Sequence, residues 1–380
     1  MRLIETRAAL DQVVERLRGE SLLAIDTEAA SFHRYYDRIY LLQISSRGDT
    51  VVIDPLGVEA LQPVGDLLAD PAVEIVFHDA DYDLRLFDRE YGFRATNLFD
   101  TRIAAQLLNE PGVGLAALLE KYVGVRLDKR FQRADWSARP LSRPMLDYAA
   151  SDTRHLPELR DILREQLQAR GRLSWAEEEF ELLSATRYSP PDGGEPGYLR
   201  IKGARLLRGR ELSVLRELFA WRDALAREAD RATFRILNNE PMLAMARNPP
   251  TDLAALRAIV GVSADQVERR GRDILAAVGR GLAVPEGELP RIERGLRQRS
   301  DPALEARLDR LKAARNRLAT QFELAPGVLC PNGTLEAIAR ANPATLEALA
   351  GVEGVRRWQL RELGAELLEA LPHARADRPV

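Results

Sequence analysis

The sequence predicts an α/β unit, a mixed sheet with covering helices, followed by two all-α units of common design. Three observations carry this reading. Four short β-branched or apolar runs come early, a Pro- and Gly-dense break follows at "SPPDGGEPGY" (189–198), and beyond it one helical pattern occurs twice at an offset of 93 residues.

The early runs are "SLLAIDTE" (21–28), "RIYLLQIS" (38–45), "TVVIDPL" (50–56) and "EIVFHDA" (74–80), each of strand length and bounded by polar or turn residues. "SRGDT" between the second and third is short enough for a hairpin, so the first strands are expected to form an antiparallel meander. Helical periodicity predicts helices over 81–91, 100–109, 114–122 and 142–170, the last with Ser142 as N-cap and Pro144 in its first turn. In the duplicated part, "NEPMLAMARNPPTDLAALRAIVGV" (239–262) aligns without gaps on "NGTLEAIARANPATLEALAGVEGV" (332–355). Pro250 matches Pro343, Gly261 matches Gly354 and Gly271 matches Gly364, an agreement that composition alone does not produce. Met242, Leu253, Leu256 and Ile259 are expected core positions, and a linker is expected near "GLAVPEGELPR" (281–291). The expected divisions are 1–188 for the α/β unit, 189–207 for a linker, and 208–286 and 301–374 for the helical units.

No twenty-residue apolar run is present, and Glu5 and Arg7 interrupt the N-terminal stretch where a signal peptide would need an apolar core. A soluble, cytoplasmic protein without membrane contact is therefore expected. One cysteine, Cys330, excludes a disulfide framework or a Cys-rich zinc site, so any metal should be a hard cation held by carboxylates. The net charge of −3 hides a division along the chain: residues 1–198 hold 24 Lys and Arg against 34 Asp and Glu, residues 199–300 hold 20 against 13, and residues 301–380 hold 11 against 11. The middle is basic, and its arginines suit phosphate.

The candidate chemistry lies in carboxylates. Asp26 and Glu28 alternate with Thr27 and so project from one face of an extended chain. Asp79, Asp81 and Asp83 lead into the helix after the fourth run, and Tyr148 and Asp152 share a helix face at i and i+4. Carboxylates gathered without neutralising bases bind divalent cations, and two Mg²⁺ or Mn²⁺ ions suit in-line phosphodiester cleavage, with Tyr148 orienting the water.

The order "DTE", "HDADYD" and Tyr-x-x-x-Asp resembles the DEDD superfamily of 3′-to-5′ exonucleases in its tyrosine subclass. The stretch "DKRFQRADWSARPLSRPMLDYAASDTRHL" (128–156) is similar to the ribonuclease D family in particular, whose chains continue into HRDC domains, which the duplicated unit resembles. The resemblance implies a ribonuclease-H-like fold and a catalytic set of Asp26, Glu28, Asp83, Tyr148 and Asp152. Asp26 would bridge two metal ions, Glu28 and Asp152 completing one site and Asp83 the other. Asp81 is the alternative in the second motif, where Asp79 also departs from the asparagine or other small residue usual after the histidine. On the substrate side, the resemblance suggests that Gln43 meets the 3′-terminal nucleotide, a satisfied core amide being the alternative. His78 reads as a structural hydrogen-bonder beside the substrate rather than a base. Lys129, Arg130 and Arg133 are placed to meet phosphates, with a solvated loop as the alternative, while Trp136 and Arg139 are expected to brace that loop. The expected partner is RNA with a free 3′ end, such as a transfer-RNA precursor, with no obligate protein partner. The rival readings are a DNA exonuclease and a non-catalytic RNA-binding protein on the same scaffold.

Overall fold

Apolar residues of the early runs are buried on both sides of a central sheet, which fixes the layered order of the first half of the chain. The structure is a computed structural model and describes residues 1–190, 195–292 and 301–371. In chain order the first half comprises β1 (Arg2–Ile4), α1 (Arg7–Leu17), β2 (Leu22–Ala29), β3 (Ile39–Ser45), β4 (Thr50–Ile53), α2 (Gln62–Ala69) and β5 (Glu74–Phe77). It continues with α3 (Asp81–Tyr91), β6 (Leu98–Asp100), α4 (Thr101–Leu107), α5 (Leu115–Tyr122), α6 (Arg143–Arg154), α7 (Leu156–Ala169) and α8 (Leu173–Ser184).

The sheet order is β1-β4-β3-β2-β5-β6. The expected meander is present as antiparallel β2-β3-β4, closed by a turn in which Ser46 N–H bonds Asp49 O, while β1, β5 and β6 add parallel strands at the edges. All seven residues of β3 are buried, as a central strand covered on both faces requires.

Two expectations need correction. The helix expected over 142–170 is two helices, α6 and α7, broken at His155 because Pro157 has no N–H to donate and its ring clashes with the preceding turn. Ser142 stands at the N-cap position of α6, but its side chain makes no capping hydrogen bond.

The second half holds α9 (Gly209–Glu228), α10 (Thr233–Ile236), α11 (Asn239–Arg247), α12 (Leu253–Arg257) and α13 (Ala264–Ala283). Then come α14 (Pro302–Gln321), α15 (Pro326–Leu329), α16 (Asn332–Ala341), α17 (Leu346–Ala350) and α18 (Arg357–Glu369). The repeat extends to buried hydrogen bonds. Arg222 bonds the carbonyl of Leu237 and Asn239 Oδ1 at 2.9 and 2.8 Å, and Arg315 bonds Cys330 O and Asn332 Oδ1 at 3.2 and 2.7 Å. Gly271 and Gly364 pack so closely on Leu253 and Leu346 that an added Cβ would stand 2.6 and 2.7 Å from a leucine methyl. Met242 and Leu256 are core as expected, whereas Leu253 is 42% exposed and Ile259 only half-buried. The break at 189–198 and the expected end at 374 each include residues outside the described set.

The two copies are held differently. The first has a core of its own, whereas the core of the second is continuous with that of the α/β unit. Trp175 of α8 stacks on Trp358 of α18 with centroids 4.6 Å apart, and Glu178 of α8 accepts the free N–H groups of Arg357 and Trp358 at 2.6 and 2.9 Å. Among the described residues no helix is long and apolar enough to cross a membrane.

Candidate active site

β2 and α6 supply the centre of the site. Alternation along β2 puts Asp26 and Glu28 on one face, and the third turn of α6 brings Asp152 against them, so that carboxylate oxygens of all three lie within 4.8 Å of one another. α6 packs across this face of the sheet, where Thr153 Oγ1 and Ser45 Oγ are 2.7 Å apart and Ser45 Oγ is 2.9 Å from Thr50 Oγ1.

Asp83 enters from the first turn of α3. It is 6% exposed and accepts a hydrogen bond from Thr27, the residue between the two strand carboxylates. Asp81, two positions earlier, faces outward and pairs with Arg85 at 2.8 Å. Helical spacing separates them: Asp83 shares its face with buried Phe87 at i+4, and Asp81 shares its own with Arg85. Thr27 is a residue that sequence reasoning treated as a spacer, and its buried hydroxyl was the missed signal.

The electrostatics follow from crowding. Burial and then the neighbouring Asp152 push Asp26 up to about 8, and burial pushes Asp152 up to about 7. Glu28 and Asp83 are likewise held well above the carboxylate range, first by burial and then by their acidic neighbours. Among the described residues no Lys, Arg or His pairs with any of the four. Such a set is unfavourable as four anions and suited to hard divalent cations, whose ligands are carboxylate oxygens. Gln43, directly opposite Asp26 in the β2-β3 register, adds an amide that is fully buried and has no hydrogen-bond partner at either atom. Paired residues project from the same face, so Gln43 stands on the face of Asp26 without lining the cleft.

Asp26, Thr27, Asp83 and Asp152 line a cleft of about 550 Å³, and Glu28 and Gln43 do not. Tyr148 forms part of its wall, half-buried, with Trp136 and Phe131 rings 6.0 and 5.9 Å from its own. Burial and the charges of Asp152, Glu28 and Asp26 raise its phenol above the ordinary tyrosine value, so the hydroxyl keeps its proton. His78 is lowered to about 4 by burial and is neutral. Thr101 Oγ1 gives its one proton to Phe77 O, so the 2.9 Å contact with His78 Nδ1 has the histidine as donor, leaving Nε2 as an acceptor. Asp79 takes a left-handed backbone (φ 70°), which Asp, Asn and Gly tolerate, and its carboxylate pairs with Arg102 at 2.6 Å. That backbone need explains why a small or Asx residue belongs after the histidine.

The basic residues before α6 divide. Lys129 lines the cleft, Arg130 pairs with Asp128 at 2.5 Å, and Arg133 lies over the Phe32 ring outside the cleft wall. Trp136 is buried, and Arg139 binds Asp54 at 2.6 and 2.8 Å and Tyr40 O at 2.8 Å, which braces the loop against the sheet.

Comparison with known proteins agrees with this architecture. A sequence family described as 3′-5′ exonuclease matches residues 1–168, and the HRDC domain family matches residues 211–278 and 305–371. The ribonuclease D of Gluconacetobacter diazotrophicus is 36% identical over 371 residues, 96% of this chain and 91% of that protein, and the Escherichia coli ribonuclease D is 33% identical over 289 residues, 76% of each. The crystal structure of E. coli RNase D, described as an exoribonuclease involved in structured RNA processing, superposes with a TM-score of 0.70 at 28% identity and 97% coverage of both chains. The catalytic core of RRP6 from Trypanosoma brucei gives 0.66 at 31% identity, covering 74% of this chain and 79% of that one. The acidic cleft, the mixed sheet and the paired helical units together place the chain in the ribonuclease D family of 3′-to-5′ exoribonucleases.

Proposed function

We propose that this chain trims the 3′ ends of structured RNAs, transfer-RNA precursors among them, in the cytoplasm, using two divalent ions, Mg²⁺ or Mn²⁺. The observation that carries the reading is a set of four carboxylates, Asp83 buried and Asp26, Glu28 and Asp152 half-buried, with no cation partner among the described residues, beside a protonated phenol. Processing of structured RNA is what is said of the E. coli protein, which superposes over nearly the whole chain. Residues 1–188 form the catalytic unit in this reading, 189–207 the linker, and 208–286 and 301–374 the two HRDC units.

Asp26, Glu28 and Asp152 would hold one ion, and Asp26 with Asp83 the other. When bound, the ions supply an activated water and stabilise the leaving oxygen of the phosphodiester. The chain's own residues do the positioning. Thr27 fixes the Asp83 carboxylate. Tyr148, held between Phe131 and Trp136, presents its hydroxyl to the attacking water. His78 offers Nε2 as an acceptor for a ribose hydroxyl, and Lys129 offers its ammonium to a phosphate.

The test is cleavage of 3′- and 5′-labelled RNA and DNA of one sequence, with Mn²⁺, with Mg²⁺ and with chelator. The expected result is stepwise loss of 3′ nucleotides from RNA that requires the metal. Equal activity in chelator, or shortening from the 5′ end, overturns the reading.

A further inference from the structure

The exposed aromatic rings of this molecule are not scattered. Among the described residues only Phe32, Tyr36, Tyr82 and Phe234 are aromatic side chains with 44–45% of their surface exposed. Phe32 and Tyr36 lie on the loop between β2 and β3, Tyr82 lines the cleft from α3, and Phe234 lies on α10 of the first HRDC unit. The segments meet: the Phe32 and Phe234 centroids are 6.2 Å apart, edge to face, and Tyr82 donates to Asp37 of the same loop at 2.5 Å.

The Phe32–Phe234 contact is not the main tie between the two units. Polar bonds supply that tie: Ala232 N–H to His33 O at 3.1 Å, Arg235 Nε to Phe32 O at 2.5 Å, and Tyr35 and Tyr36 N–H to Asp230 Oδ1 at 3.2 and 3.1 Å. The rings keep nearly half their surface in water, an unfavourable state for large apolar groups that the junction does not require.

Each of three rings has a guanidinium on its face. Arg133 is 5.2 Å from the Phe32 centroid, Arg38 is 5.9 Å from that of Tyr36, and Arg235 is 5.9 Å from that of Phe234. Arg38 and Arg133 have no carboxylate partner among the described residues. Arg133 directly follows Gln132, and both Gln132 and Tyr82 line the catalytic cleft, so the patch and the cleft share two segments of the chain. Open aromatic faces backed by cations, beside a site that takes a 3′ end, have the chemistry of a single-strand path: bases stack on the rings and phosphates meet the guanidiniums.

We propose that Phe32 and Phe234, with Arg133 and Arg235, form a stacking platform at the seam between the nuclease and the first HRDC unit, occupied by the single-stranded RNA immediately upstream of the 3′ nucleotide being removed. The inference rests on the exoribonuclease reading for its ligand. The platform makes the first HRDC unit part of the path of the strand itself.

The test uses the full chain with Phe32→Leu, Phe234→Leu and the double change, since leucine keeps apolar bulk and the polar junction but lacks a π face. With Mn²⁺ and 5′-labelled oligoadenylates, the double variant is expected to raise KM for a 12-mer on the order of tenfold, with little change in kcat and none in the rate on a dinucleotide. A second readout needs no catalysis: in chelator, the emission of Phe234→Trp, corrected for wild type, is expected to be quenched by the 12-mer and not by the same concentration of AMP. An unchanged KM in a double variant that melts like wild type, or absence of quenching while anisotropy shows the RNA bound, overturns the platform. If the wild type shortens no oligoribonucleotide, the exoribonuclease reading falls, and the quenching measurement still decides the platform.

Discussion

Asp26 occupies the most demanding position in the cleft, and the chemistry around it makes four changes informative. Asp26→Asn should abolish cleavage with the fold intact if Asp26 is shared by two cations as proposed, because a neutral amide cannot replace such a carboxylate; retention of a tenth of the wild-type rate would reject that role. Tyr148→Phe should be milder, about 10²-fold in kcat, since it removes only the hydroxyl proposed to orient water. Asp83→Ala should be inactive and Asp81→Ala nearly normal, as expected from one carboxylate buried beside Asp26 and the other paired with Arg85 in solvent; the reverse result would move the second motif by two residues. Asp26 and Asp152, raised to about 8 and about 7, bind protons more tightly folded than unfolded. Their contribution to the stability of the metal-free protein is therefore fully present below about pH 4 and is lost as pH rises toward 8, whereas acids held low by their partners, such as Asp135 and Asp161, lose theirs on the acid side of that window. The protein's melting temperature should fall between about pH 5 and pH 8, divalent ions should restore it most at pH 8, and Asp26→Asn should flatten the fall. A metal-free melting temperature that rises over this window would contradict the sign. Residue spacing made much of this site legible: period two for Asp26 and Glu28, i and i+4 for Tyr148 and Asp152. What stayed hidden was tertiary packing, which alone shows the buried Gln43 amide without a hydrogen-bond partner and Arg133 over the Phe32 ring.

At the level of elements, long periodic segments read well and short or composite ones did not. α3 appears where its pattern predicts, whereas β1 and β6, three residues each, are too short to show a period and owe their existence to parallel partners far along the chain. The α6–α7 break was written in Pro157 but masked by the continuous apolar stripe on either side. The junction of α8 with α18 was invisible because it joins residues some 180 positions apart. It is nevertheless a specific contact. Glu178→Ala leaves two helix N-terminal N–H groups without an acceptor and should cost about 1–3 kcal/mol of stability by denaturant titration, with kcat on a short oligonucleotide affected only through the folded fraction. A loss within error of zero would show that water replaces the carboxylate.

For the whole molecule, the duplicated units divide their work. The basic stretch 199–300 carries a net +7, yet Arg205 pairs with Glu195 at 2.5 Å, Arg208 bonds the carbonyls of Arg205 and Leu207, and Arg210 bonds those of Leu282 and Val284. Hydrogen bonds to carbonyls brace the unit without neutralising it, so its field still attracts phosphate. Charge reversal at exposed Lys202, Arg247 and Arg257 should weaken binding of long structured RNA and flatten its salt dependence, leaving short substrates unaffected. An unchanged salt slope in binding titrations would assign the unit to bracing alone. Removing the second HRDC unit would instead uncover Trp175 and the carboxylate of Glu178, a change expected to lower the stability of the nuclease itself.

The N-cap of the last helix shows how far that dependence goes. In the first copy Ser263 caps α13 through Gln266 N–H at 3.1 Å; the matching residue of the second copy is Arg356, which turns to Glu179 at 3.1 Å while Glu178 of the nuclease receives the helix N–H groups. One copy kept its own terminus and the other borrows it. Because chains are made from the N-terminus, the nuclease emerges from the ribosome well before the segment that completes it. A nascent or prematurely stopped chain therefore holds every carboxylate of the cleft on a body whose Trp175 face is still bare. The packing of the nuclease is therefore completed only once the message has been read through the codon for Trp358.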